Sequence, residues 1–248
     1  MYGWRGRMGM IVPGTNATAE NEYRRLADNF SGVSVHVARV RGAPGPVSRQ
    51  WEVEFGEGCV EAAEVLASVG PGVIAVANTS GTFINDEKTI ATEIARATGI
   101  PVVTTANAVV SSLRDLGARR IGVVTPYPAE FNSYLQEYLT RNGFTIASFE
   151  SNLTTDILTI GRSEPYEAYR LARKLTGEYD AVFISCTDFR AIDVIPALES
   201  DLRVPVISSN FATFTQSVRA LGVGLPDGPY SLWSALMRAG RVAAQPPV

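Results

Sequence analysis
Cys186 closes the apolar run Asp180–Ser185 and is followed by Thr187 and Asp188. The pattern reads as a strand ending on a thiol, with a helix expected to start near Asp188. A thiol at a helix N-terminus meets free N–H groups and the positive end of the dipole, which favour the thiolate. Such a group can donate a proton, accept one, or attack as a nucleophile. A cysteine that is only buried there would instead behave as a small hydrophobe. Asn78-Thr79-Ser80-Gly81 follows a second apolar run and opens a loop. These side chains can cap a helix, or aim donors at a carboxylate. Pro13-Gly14-Thr15-Asn16 ends a third run, with Asn16 and Thr15 as donors. Tyr127 stands after the run 119–125, where its phenol can donate to a substrate oxygen or simply pack. His36 shares a strand face with Ser34 and reads as structural, Arg39 and Arg41 as solvated, and Cys59 as core.

The elements that must carry these residues are legible as alternation. Apolar, β-branched runs fall at 8–13, 33–40, 72–78, 101–104, 119–125, 180–186 and 204–208. Runs apolar on both sides are the mark of strands buried on both faces of a parallel sheet. Amphipathic segments at 18–29, 54–69, 85–98, 106–117, 129–142, 165–176 and 211–221 lie between them, several ending in Gly. This is a doubly wound α/β pattern. The chain also repeats itself: Gly9–Pro13 matches Gly122–Pro126, Val73–Thr79 matches Ala181–Thr187, and Arg114–Gly117 matches Arg219–Gly222, at offsets of 113, 108 and 105. Three matches in one order imply a tandem duplication into two similar halves. In open parallel sheets ligands bind beyond the carboxyl ends of strands, so two facing halves place 13–16, 78–82, 125–127 and 186–188 on one cleft. The Pro/Gly-rich segment 42–50 reads as a mobile loop over that cleft, 151–163 as loop, and 244–248 as a frayed tail.

Composition narrows the function. The hydrophobic share is 46% and the formal net charge −3, so a core is expected and neither nucleic acid nor an anionic membrane is an expected partner. The apolar runs are too short for a membrane span, and the N-terminus does not read as a signal peptide, so a cytoplasmic location is expected. Two cysteines and one histidine do not make a zinc site, and no cofactor is implied. The glycines and lysine of the dinucleotide and P-loop motifs are missing.

The stretch Gly9–Glu22 (GMIVPGTNATAENE), Val124-Thr-Pro-Tyr127, Ile184-Ser-Cys186, His36 and Arg39 resemble the aspartate/glutamate racemase superfamily, in its maleate cis-trans isomerase and arylmalonate decarboxylase branch. The resemblance spans residues 9 to about 223. It implies two flavodoxin-like halves with the active cleft between them: residues 1–104, completed by 206–248, and residues 105–205. Racemases and isomerases of this type carry one cysteine from each half. The second matches Cys186, while the first falls on Asn78. The decarboxylase also keeps only the second cysteine and has Gly before its Thr-Ser pair. Its pocket roles fall on Thr79, Ser80, Tyr127, Cys186 and the Thr187 backbone. Asn78 departs from both patterns.

That departure has chemical weight. An amide does not titrate, so Asn78 cannot be a second base; it is also a poor nucleophile for addition to an alkene. Protonating an enediolate on one face needs only Cys186 and an oxyanion pocket. The expected function is therefore a cofactor-independent enzyme acting beside the carboxylate of a small carboxylic acid, with Cys186 as its single thiol, decarboxylating a malonate-like substrate. The alternative is a maleate isomerase or related racemase-type isomerase, with Asn16 and Tyr127 gripping carboxylates. A non-catalytic carboxylate-binding protein is the third reading, which an inert rather than activated thiol would favour. Expected partners are the carboxylate substrate and, at most, further copies of the chain.

Overall fold
In the computed structural model, which describes residues 2–240, two parallel four-stranded sheets are built on one plan. The first half contains β1 (Gly6–Pro13), α1 (Ala19–Ala27), β2 (Val33–Val40), α2 (Arg49–Ala67), β3 (Val73–Val76), α3 (Thr79–Ile84), α4 (Glu87–Thr98) and β4 (Val102–Thr104), followed by α5 (Thr105–Asp115). The second contains β5 (Arg120–Thr125), α6 (Ala129–Arg141), β6 (Thr145–Ser151), α7 (Ile157–Gly161), α8 (Pro165–Ala172), β7 (Ala181–Ile184), α9 (Ile195–Leu202) and β8 (Val206–Ser208), followed by α10 (Ser209–Ala220) and α11 (Ser231–Arg238). Strand orders are β2-β1-β3-β4 and β6-β5-β7-β8. The same order twice is the duplication seen in the repeats.

The central strands are apolar because helices cover both of their faces. Val73, Ile74, Ala75 and Val76 of β3, and Ala181, Val182, Phe183 and Ile184 of β7, are all fully buried. All seven expected strands form. The eighth, β6, lies in the stretch TIASFES, whose Ser and Glu hide it from a search for apolar runs. It is an edge strand, half-buried along its length. Helix α2 begins at Arg49, five residues before the amphipathic segment suggests, with Ser48 capping it by accepting from Trp51 N–H at 3.3 Å.

Three expectations are corrected. No helix starts near Asp188: residues 187–189 form a turn and α9 begins at Ile195. Segment 151–163 is not all loop, since it contains the helix α7, capped by Asp156. Strand 206–208 pairs with β7 in the second sheet rather than completing the first half. The helix that follows it does cross over. α10 packs on α1 and β3, with Phe214 against Tyr23 edge-to-face at 5.6 Å. α5 lies against α10, held by Thr213–Thr105 and Arg219–Asp115 contacts, and reaches β8 and α11. The expected frayed tail at 244–248 lies outside the described residues. Among the described residues, no helix is long and apolar enough to cross a membrane.

Candidate active site
The carboxyl ends of β1, β3, β5 and β7 meet on a single cavity. Together with the open space at its mouth it takes in about 370 Å³. Asn16, Asn78, Ser80, Tyr127, Cys186 and Thr187 all line it. Thr79 does not. Its hydroxyl donates to Ser209 Oγ at 2.8 Å, and Ser209 Oγ in turn accepts the Cys186 N–H at 3.1 Å. Thr79 therefore braces the cysteine backbone from across the interface between the halves.

Cys186 has φ +90°, a left-handed conformation that costs a non-glycine residue about 1–3 kcal/mol. The bond to Ser209 helps to hold it there. The thiol is buried, with the Tyr127 hydroxyl beside it and the Asp188 N–H donating toward it. Burial, reinforced by the negative charge of Asp188, outweighs those two donors and pushes the thiol up to about 12. This reverses the expectation of an activated thiolate, which rested on a helix that does not form. At neutral pH Cys186 is a thiol, the form that holds a proton to give. An inert thiol thus does not distinguish a binder from an enzyme whose cysteine is a proton donor.

Tyr127 is held by its backbone. Its carbonyl accepts from Asn132 Nδ2 at 2.9 Å and Ser151 Oγ at 2.8 Å, and its phenol, within 3.5 Å of Ser185 Oγ, is kept well above the usual tyrosine range by burial and by Cys186. Asn16 caps α1 through Oδ1, accepting from Thr18 and Ala19 N–H groups, and donates to Thr187 Oγ1 at 3.0 Å. Arg39 is not merely solvated: it pairs with Glu20 at 2.9 Å and donates to the carbonyl of Asn16 at 2.8 Å, fixing the 13–16 loop from behind. His36 bonds Ser34 at 3.0 Å on an edge strand away from the cavity, and Cys59 is buried core.

Two carboxyl groups in the cavity wall escaped the sequence analysis as acids. Glu52 is 2% exposed and is held by Asn78 Nδ2 at 2.7 Å and Ser80 Oγ at 2.5 Å. Burial overrides both donors and lifts it to about 7. Asp188 accepts from the N–H groups of Ala17 and Thr18 at 2.9 and 3.0 Å, and burial lifts it to about 6. Glu52 had a signal. The buried stripe of α2, Phe55, Cys59, Ala62, Ala63 and Leu66, extends back one turn onto it, and a glutamate on a buried stripe demands a partner or a role. Placing the helix start at 54 hid it. Among the described residues, no Lys, Arg or His lines the cavity.

Apart from Thr15, the remaining wall is apolar and comes from both halves: Pro13, Val47 and Trp51 from the first, Ile157 and Ile160 from the second. Segment 42–48 is not a free loop. Val47 N–H donates to Thr155 O at 2.8 Å and Ile157 N–H to Gly45 O at 3.0 Å, with Pro46 bridging Asp156, so the two halves are stitched together over the cavity. The arrangement offers a buried thiol, a phenol and the hydroxyls of Thr15, Ser80 and Thr187 around a partly apolar chamber. That is equipment for proton transfer at carbon beside a carboxylate.

The chain is similar to proteins of known activity. A sequence profile of the arylmalonate decarboxylase family matches residues 48–229. The arylmalonate decarboxylase of Bordetella bronchiseptica is 30% identical over 230 residues, covering 90% of this chain and 93% of the relative. The maleate isomerase of Geobacillus stearothermophilus is 25% identical over 231 residues, covering 88% and 92%. A cysteine-to-serine variant of Nocardia farcinica maleate cis-trans isomerase, solved with a covalently bound succinylcysteine intermediate, matches with a TM-score of 0.81 at 25% identity, over 87% of this chain and 92% of that one.

Proposed function
The chain belongs to the arylmalonate decarboxylase family, and from that premise we propose that it decarboxylates a 2-substituted malonate, with Cys186 protonating the carbanion that results. The carrying observation is the buried Cys186 thiol set beside Tyr127 in a cavity walled in part by apolar side chains. The substituent and the departing carboxylate sit against Val47, Trp51, Ile157 and Ile160, where a charged carboxylate is poorly solvated and CO₂ is not. Loss of CO₂ leaves an electron pair delocalised into a planar enediolate. Tyr127, Ser80 and the Thr187 N–H hold its oxygens, and Cys186 S–H delivers a proton to the exposed face of the α-carbon. Solvent then reprotonates the sulfur.

Glu52 enters through Ser80. While ionised, it keeps the Ser80 hydroxyl as its own donor. Once protonated, it can donate to Ser80 Oγ, which frees that hydroxyl for the substrate. Decarboxylation is accordingly the activity of the protonated Glu52 state. Cis-trans isomerisation of maleate is less well supported. It requires a thiolate or another nucleophile to add to the alkene, whereas Cys186 is held as a thiol and position 78 is an amide. The test is a proton NMR time course in D₂O with 2-methyl-2-phenylmalonate and maleate. The reading expects 2-phenylpropionate carrying one α-deuterium, and Cys186→Ala is expected to lose at least about 100-fold in rate. Fumarate from maleate with no decarboxylation of the malonate would overturn it.

A further inference from the structure
The missing titratable group at position 78 has a replacement in space. Asn78 and Cys186 each stand two residues beyond the end of the equivalent strand, β3 or β7, so they flank the cavity from opposite halves. Where a second thiol would reach inward, Asn78 Nδ2 instead anchors the Glu52 carboxyl, which α2 brings over the end of β3. Glu52 lines the same cavity as Cys186, and its charge acts on both Cys186 and Tyr127. With no cation among the described residues of the wall to pair with, it is a buried carboxyl at a ligand chamber, held by the uncharged donors of Asn78 and Ser80.

We propose that Glu52 is a second proton-transfer group in this site, working on the face of the substrate α-carbon opposite Cys186, and that the protein therefore also inverts chiral 2-substituted monocarboxylates. The proposal shares the enediolate pocket of the reading above. Ionised Glu52 takes the α-proton: the C–H bond breaks, its electron pair enters the enediolate, and an O–H bond forms on the carboxyl. Protonated Glu52 no longer needs the Ser80 hydroxyl, which turns to the enediolate oxygen as charge develops there. Cys186 S–H then protonates the other face and becomes a thiolate. Solvent completes the cycle by giving a proton to the sulfur and taking one from Glu52. The opposite enantiomer runs these steps in reverse, starting from the minor form in which the Cys186 proton has passed to Glu52 and the sulfur is a thiolate. Burial places Glu52 at about 7, so ionised and protonated forms are both populated near neutral pH.

The test supplies the full-length protein with each enantiomer of 2-phenylpropionate in D₂O, following α-deuteration by NMR and inversion by chiral chromatography. Decarboxylation of 2-methyl-2-phenylmalonate is run in parallel. The wild type is expected to invert both enantiomers with deuterium incorporated, and Glu52→Gln to lose inversion by at least about 100-fold. Glu52→Asp, which keeps a carboxyl, is expected to recover part of that loss and guards against a merely structural effect; thermal melting confirms that both variants fold. Decarboxylation without inversion or exchange would overturn the role of Glu52 and leave the decarboxylase reading intact. Inversion without decarboxylation would do the opposite. Inversion by Glu52→Gln at the wild-type rate would overturn the proposal, and failure of the wild type on both substrates would overturn both.

Discussion
At the scale of single residues, the site turns on which side chains hold protons. Tyr127 is buried with its phenol beside Cys186, so Tyr127→Phe removes one donor to the enediolate while keeping the ring packed. Its kcat on the malonate is expected to fall about 100-fold with little change in KM, because loss of an oxyanion donor is felt chiefly in the transition state. The pH dependence follows from Glu52, which has a folded value of about 7 against an ordinary 4.5. Rising pH ionises it, recaptures the Ser80 hydroxyl and sets a negative charge beside a doubly charged substrate. kcat/KM for decarboxylation is therefore expected to fall as pH rises through about 7, and Glu52→Gln, which cannot ionise, should abolish that limb. A steady-state profile from pH 5 to 9 checks this. The same shift has a stability sign. The folded state binds the proton more tightly than the unfolded chain, so this carboxyl weakens the fold as pH rises from about 4.5 to about 7.

At the scale of elements, helix α2 decides what the first half contributes. Its apolar stripe seats it on the sheet, and its first turn delivers Trp51 and Glu52 into the cavity. The N-cap of that turn is Ser48. Ser48→Ala is expected to cost about 1 kcal/mol of stability and to raise KM, because the turn it secures carries two cavity residues. Thermal melts and kinetics on the same preparation check both. How far the elements could be read depended on their surroundings. Strands β3 and β7 were plain because they are covered on both sides, whereas β6 is an edge strand with Ser and Glu along it and has no apolar run to find. Where a helix is expected near Asp188, residues 187–189 form a turn. Asp188 does receive N–H groups, but those of Ala17 and Thr18, just before α1 in the other half.

At the scale of the molecule, the halves are joined by buried polar bonds as well as by packing. Glu22 of α1 is 5% exposed and accepts from the N–H groups of Ala191 and Ile192 at 2.9 and 3.1 Å, and from Asn210 Nδ2 at 2.7 Å. Glu22→Ala leaves the buried N–H groups of Ala191 and Ile192 without an acceptor, and Asn210 Nδ2 with only its bond to Thr187 O, and is expected to cost about 3 kcal/mol, measured by urea denaturation. Activity should fall with it, because the same interface sets the distance between Asn16 and Thr187. The crossing of α10 onto the first half and the strap of 42–48 on 155–157 make the cavity a property of the two halves together.

The sequence by itself determined the α/β class, the duplication, seven of the strands and the polar cluster at the strand ends, because these are written in local periodicity and in repeats of one chain segment. It also located Cys186, Tyr127, Ser80, Asn78, Asn16 and Thr187, all of which line the cavity. Tertiary structure alone decided the protonation of the thiol, the retirement of Thr79 into a brace for Cys186, and the arrival of Glu52 in the same cavity. Burial, and contacts between residues as far apart as Thr79 and Ser209, set these features, and neither is encoded in the spacing of neighbours along the chain.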